Sequence, residues 1–151
     1  MAWRIGEILI RKRYIDWEQL EEVLAEQQTR KEFTGELLVQ KGYISRRLLY
    51  KAIAEQNGLR FVDLKRTHIN PSAVQMIPES LARKYNLLGV EKLPNMLIVA
   101  ISSAPNLWPK AEIQSMTGIP QIKSVLCLPQ DIQEAIQEWY AGDKITARAA
   151  S

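Results

Sequence analysis

Residues 4–27 read RIGEILIRKRYIDWEQLEEVLAEQ, and residues 33–56 read FTGELLVQKGYISRRLLYKAIAEQ. At an offset of 29 the two align without a gap. Of the 24 paired positions 10 are identical: Gly6/Gly35, Glu7/Glu36, Leu9/Leu38, Lys12/Lys41, Tyr14/Tyr43, Ile15/Ile44, Leu20/Leu49, Ala25/Ala54, Glu26/Glu55 and Gln27/Gln56. Self-similarity of this kind marks a duplicated structural unit, and two like units can face each other across a pseudo-twofold axis. A nearly symmetric ligand suits such a pair.

Within each copy the apolar residues fall at helical spacing in two bursts: Ile5, Ile8, Leu9 and then Leu20, Val23, Leu24 in the first, Leu37, Leu38 and then Leu49, Ala52, Ile53 in the second. Each copy is therefore expected to be a helical hairpin. The breaks fall at Arg13-Tyr14-Ile15-Asp16 and Gly42-Tyr43-Ile44-Ser45, with Asp16 and Ser45 as N-caps and Gln19 completing a capping box in the first copy. Gly42 suits the left-handed residue that closes a short helix, and Arg13 at the matching place bears a steric cost of about 1 kcal/mol. Asn57-Gly58 stops the fourth helix.

Beyond Gly58 the pattern turns mixed. Leu59 to Leu64 reads as an extended connection. Asn70-Pro71-Ser72 and Pro78-Glu79-Ser80 start two short helices with proline in the first turn, the second over about residues 79–85. Leu87 to Leu93, a Pro94-Asn95 turn and Met96 to Ser102 read as an antiparallel hairpin. A helix over about residues 107–116 ends at Gly118, a strand runs over 121–128, and a capped helix over 130–140 closes the sequence of elements. The fold class is thus α+β: a four-helix subdomain of two repeated hairpins at residues 1–58, then a small α/β subdomain at 59–141 with an about three-stranded sheet flanked by helices. Residues 142–151 read as a disordered tail or linker.

The chain has 151 residues, 46% of them apolar, enough to bury a core. Lys and Arg exceed Asp and Glu by 20 to 17, and the surplus is even along the chain. It makes no basic face for a phosphate backbone, so nucleic acid is not an expected partner. The single cysteine, Cys127, in a Val125-Leu126-Cys127-Leu128 setting, reads as a buried strand residue and excludes an intramolecular disulfide. The N-terminus lacks the order of a signal peptide, and no apolar run approaches the roughly 18 residues of a membrane span. A cytoplasmic protein without direct membrane insertion is the expectation.

No nucleophile with a base, metal set or phosphate-cradling glycine loop is present, so no catalytic residues, metal ligands or cofactor are assigned. His68 lies in a polar connection. Glu18, Glu21, Glu22 and Glu26 form an exposed helix face opposite the leucine stripe. The repeats offer binding chemistry instead. Gly6 and Gly35, near the start of the first helix in each copy, let a ligand approach the backbone. Arg4 presents a fork of donors suited to a guanine edge or a phosphate, and Gln27 and Gln56 each close a copy with an amide. Leu20, Leu24, Leu49 and Ile53 would form an apolar floor under a planar base. Taken one at a time, the same glycines are close-packing points, the leucines core and the glutamines surface.

The two blocks, from Arg4-Ile5-Gly6 through Leu9, Tyr14-Ile15 and Leu20 to Gln27, and from Gly35 through Leu38, Gly42-Tyr43-Ile44, Leu49 and Ile53 to Gln56, with the spacer Gln28 to Glu32, resemble the MshEN-type N-terminal domain of type II secretion and type IV pilus assembly ATPases. Phe61-Val62-Asp63-Leu64, Ile77-Pro78-Glu79, Leu97 to Ile101 and Asp131-Ile132 resemble the rest of that domain. The resemblance implies cyclic di-GMP binding through the paired motifs. It assigns donor roles to Arg4 and Gln27, backbone approach to Gly6 and Gly35, and apolar contact to Ile5, Leu20, Leu24, Leu49 and Ile53. It also implies a protein partner within a secretion or pilus assembly complex. The second motif departs at Phe33-Thr34, where the first has Arg4-Ile5; Phe33 can stack on a base instead. Arg13 replaces a turn glycine and Leu48 a glutamine. The functional expectation is a non-catalytic cyclic di-GMP sensor that passes occupancy to a partner. The alternatives are a docking module that has lost nucleotide binding, and a helix-turn-helix DNA binder using Arg11-Lys12-Arg13 and Arg46-Arg47.

Overall fold

The computed structural model describes residues 4–30, 32–103 and 108–141, and the chain divides into two compact units, Met1–Arg60 and Phe61–Ser151. The first holds four helices, α1 (Ile5–Arg11), α2 (Trp17–Gln27), α3 (Thr34–Gln40) and α4 (Arg46–Gln56). Their ends follow local chemistry. The Asp16 carboxylate accepts from the Gln19 amide at 2.8 Å while the Gln19 side chain accepts from the Asp16 amide at 3.0 Å, a reciprocal capping box. Ser45 caps α4 through the Leu48 amide at 3.2 Å. Gly42 and Gly58 are left-handed, at φ 77° and 67°.

Arg13 occupies the position matching Gly42 and is also left-handed, at φ 62°. A side chain there crowds the following carbonyl, by roughly 1 kcal/mol. Arg13→Gly is expected to raise the denaturation midpoint of the helical unit by an amount equivalent to about 0.5–1 kcal/mol, because the relieved strain exceeds the added freedom of the unfolded chain. Urea titration followed by circular dichroism checks this; a lower midpoint would show that the strain is absorbed elsewhere.

Leu9, Val23, Leu37, Leu38 and Ala52 are wholly buried at the centre of this unit, joined by Ile8, Ile15, Leu20, Ile44 and Leu49. The helices interlock between copies: α1 packs on α4, α2 on α3, and α1 also meets α3.

The second unit begins with Phe61, bridged in parallel to Leu126, and a single 3-10 turn at Leu64–Arg66. Then come α5 (Pro71–Gln75), α6 (Glu79–Tyr85), β1 (Leu88–Leu93), β2 (Met96–Ile101), α7 (Lys110–Thr117), β3 (Gln121–Leu126) and α8 (Pro129–Tyr140). The sheet has order β1-β2-β3. β1 and β2 form an antiparallel hairpin with an irregularity between Gly89 and Glu91; β2 and β3 pair in parallel from Met96/Gln121 to Ile101/Leu126. A parallel pair needs a crossover, and α7 lies within it. β2 is the central strand, which is why its sequence is almost unbroken apolar.

Several element ends differ from expectation: β1 starts at Leu88, β2 ends at Ile101 and β3 ends at Leu126 rather than 128. Pro78 has an extended ψ of 145° and stands just outside α6 as its N-cap. α7 starts only at Lys110, after Pro109, and the part expected at residue 107 lies outside the described residues, as does the tail from 142. α8 starts one residue early at Pro129 and has no side-chain cap, because its N-cap is Leu128. Proline at the first helical position starts it instead, having no amide to satisfy. Cys127 is buried one residue beyond β3, where desolvation pushes its thiol up to about 12. Among the described residues no helix is long and apolar enough to cross a membrane, and no cluster of His, Cys, Asp or Glu is placed to hold a metal ion.

Candidate functional site

The two copies of the repeat start their first helices from the same backbone. Arg4 stands at φ −67°, ψ 149° and Phe33 at φ −71°, ψ 146°. Side chains at 4 and 33 therefore leave the chain alike, one a cation and the other an aromatic ring. Two residues on, a Cβ on Gly6 would lie 2.9 Å from Leu20 Cδ1, and one on Gly35 would lie 2.6 Å from Leu49 Cδ1. The identities Gly6/Gly35 and Leu20/Leu49 are thus one contact made twice, a close approach of the two helices of each hairpin.

Two more identical pairs, Lys12/Lys41 and Glu26/Glu55, make a second repeated contact, this time between copies. Lys12 Nζ lies 2.8 Å from Glu55 Oε2, and Lys41 Nζ lies 2.7 Å from Glu26 Oε2. Each lysine follows the first helix of one copy and reaches the second helix of the other. That crossing is what a pseudo-twofold axis requires. It was invisible in the sequence because identity at 12/41 and 26/55 does not say which residue meets which.

The contact around Lys41 is part of a larger network. Tyr43 donates to Glu22 and Lys41 reaches Glu22 at 3.4 Å, while Arg30 pairs with Glu26 at 3.0 Å and Glu32 at 3.2 Å. The hydrogen bond from Lys41 holds the Glu26 carboxyl below the usual carboxylate range, helped by Arg30; Tyr43, ahead of Lys41, does the same for Glu22. Lys41 is raised, chiefly by Glu26. A depressed carboxylate contributes stability that is present above its unfolded value, near 4.3, and lost as pH falls through the folded value. Glu26→Gln is therefore expected to lower stability at pH 7 by the small contribution of an exposed pair and to leave it nearly unchanged near pH 3, so that the loss of stability between about pH 5 and pH 3 flattens. Thermal melts across that range check it, and an unchanged acid slope would count against the pairing.

Of the twelve residues expected to contact a ligand, the structure brings several together. Gly6 meets Leu20 and Gly35 meets Leu49, as above. The Thr34 hydroxyl donates to Gln27 Oε1 at 3.0 Å, and Gln27 Nε2 donates to the Glu32 carbonyl at 3.0 Å, joining the end of one copy to the start of the next. Ile5 and Ile53 pack half-buried against the core, and Gln56 is half-buried. Arg4 is exposed, as are Leu24 at 45% and Phe33 at 83%. Leu20 and Leu49 keep only 5% and 2% of their surface, each packed on the glycine of its own copy, whereas Ile5 and Ile53 are half-buried. The Gln27–Thr34 bond had no sequence signal, since Thr34 stood out only as a departure from the first copy.

The basic clusters are exposed, and one member of each is paired with a carboxylate of its own unit. Lys12 is paired with Glu55, and Arg46 makes a two-pronged contact with Glu36 at 2.8 and 3.3 Å. In the second unit His68 is exposed on a cleft of about 410 Å³ lined also by Lys65, Asp131, Glu134 and Trp139. Lys65 lies 3.7 Å from Asp131 and 3.6 Å from Glu134 there.

A duplicated helical-hairpin unit followed by an α/β unit with a three-stranded mixed sheet defines a class of α+β domain. Its fold is that of MshE, in a structure of MshE with cdg (TM-score 0.79, 24% identical, covering 91% of this chain and 99% of that one). The N-terminal domain of XpsE shares it (TM-score 0.65, 22% identical, covering 93% and 100%). The MshEN domain family matches residues 57–146, and the chain belongs to that family. The type IV pilus assembly ATPase PilB of Myxococcus xanthus (strain DK1622) is 30% identical over 141 residues, 93% of this chain and 25% of PilB. The chain thus spans about a quarter of that relative's length.

Proposed function

We propose that this chain is a non-catalytic regulatory domain that binds cyclic di-GMP through its two repeat motifs and passes occupancy to a protein component of a secretion or pilus assembly complex. The observation that carries the reading is the pair of crossed contacts, Lys12 with Glu55 and Lys41 with Glu26, which supports a twofold arrangement of the motifs suited to a ligand of two like halves. The likeness in fold to MshE, whose structure is with cdg, supports the ligand class. Arg4 would take a guanine edge or a phosphate, Gln27 and Gln56 would supply amides, and Ile5, Leu24, Phe33 and Ile53 would supply apolar contact above the backbone at Gly6 and Gly35.

Isothermal calorimetry with cyclic di-GMP tests this directly, with saturable heat expected and silence at high micromolar ligand ending the reading. Arg4→Ala, at an exposed position, is expected to weaken binding by roughly ten- to a hundredfold, the loss of one bidentate contact. An affinity unchanged in that variant would remove Arg4 from the site.

A docking module without nucleotide binding is the second reading. It is favoured by one observation, the exposed Trp17, Leu24 and Phe33 of the helical unit, which suit a protein contact. The DNA reading is weakened by the carboxylates already paired with Lys12 and Arg46. Absence of salt-dependent retention on duplex DNA would end it.

A further inference from the structure

We propose that α2 of one molecule of this chain docks against α4 of a second, held by charges that the two repeats carry with opposite sign. The two helices are counterparts, each of 11 residues. Their inward residues are alike, Leu20 with Leu49 and Val23 with Ala52, all buried. Their outward residues are not: Glu18 and Glu22 on α2 stand where α4 has Arg47 and Lys51, and Trp17 stands where α4 has Arg46. All six are exposed, and Glu21 adds a further exposed carboxylate to α2. The core faces match and the outer faces have opposite sign.

Within one molecule these outer faces do not pair with each other. α2 packs on α3 and α4 on α1, and Glu18, Glu21 and Lys51 enter no ion pair among the described residues. Every molecule carries both faces, so a second molecule presents the charge that each face lacks, and opposite potentials draw such surfaces together. Trp17, 61% exposed, adds a broad aromatic face at the start of α2 on which a cation of α4 can settle. The contact joins unlike surfaces, so it links molecules head to tail. One helix against another is a small interface, and the association is expected to be weak and strongly salt-dependent.

Sedimentation velocity tests this. At about 0.05 M salt, mass above the 17.3 kDa monomer is expected to rise with protein concentration, and association is expected to be at least about tenfold weaker at about 0.5 M salt. A monomer at every concentration up to about 500 μM, or an association indifferent to salt, overturns the proposal. Charge reversal then identifies the faces. Glu18→Lys with Glu21→Lys on α2, and separately Arg46→Glu with Lys51→Glu on α4, are each expected to weaken self-association at least about tenfold, because like charges now meet. An equimolar mixture of the two variants, each with its helical circular dichroism intact, is expected to regain it, since the reversed α2 of one meets the reversed α4 of the other. Unchanged association in either variant, or a mixture that stays monomeric, overturns the pairing of α2 with α4.

Discussion

Gly89→Ala is expected to destabilise the α/β unit by about 3 kcal/mol, at the top of the usual range for overpacking. A Cβ there would fall 2.1 Å from the Ala73 carbonyl oxygen and 2.7 Å from its carbon, backbone atoms that no rotamer change can move. Nor can α5 slide away. The Asn70 amide at its N-cap donates to the Val90 carbonyl at 2.8 Å, and the Asn70 side chain donates to Glu91 at 2.8 Å, so the helix is tied to the strand on which the methyl would grow. Gly118→Ala is the control: its φ is 71° but a Cβ there meets nothing within 4 Å, so its cost is limited to about 1 kcal/mol of backbone strain. Urea unfolding followed by circular dichroism should separate the two substitutions clearly. Equal midpoints would show that α5 does not sit where the structure has it.

Leu9→Ala and Leu38→Ala are each expected to cost about 3 kcal/mol, the usual loss for deleting a buried isobutyl group and leaving a cavity. Both side chains are wholly buried in the helical core. The sharper expectation is that the two costs agree within about 1 kcal/mol, since the residues are counterparts in the repeat and the core around them is built from the same helix pairs. A large disparity would mean that one copy is a poor imitation of the other in three dimensions, which would also weaken the case for a ligand bound across both.

Much of the fold was legible because its signals are local. The capping box at Asp16 and Gln19, the cap at Ser45, the left-handed Gly42, Gly58 and Gly118, and the proline starting α5 act over at most a few residues, so they act alike in any tertiary context. The misread ends were also local but ambiguous. Proline is acceptable both at the first helical position and just before it, so Pro78 and Pro129 could be told apart only by their backbone angles. The candidate site was less legible. Val23 and Leu24 are adjacent and alike in hydrophobicity, yet Val23 is fully covered and Leu24 is 45% exposed. Successive residues on a helix point about 100° apart, and only packing decides which faces inward.

The amino-acid sequence alone determined that this chain carries two copies of one helical hairpin ahead of a small α/β unit of about three strands, because periodicity and turn chemistry are written within short windows. The tertiary structure alone decided that α1 packs on α4 and α2 on α3, that each lysine crosses to the other copy's glutamate, and that Thr34 orients Gln27. Those choices depend on which surfaces fit together at separations of tens of residues, where burial and close approach outweigh any preference that neighbours in the chain can express.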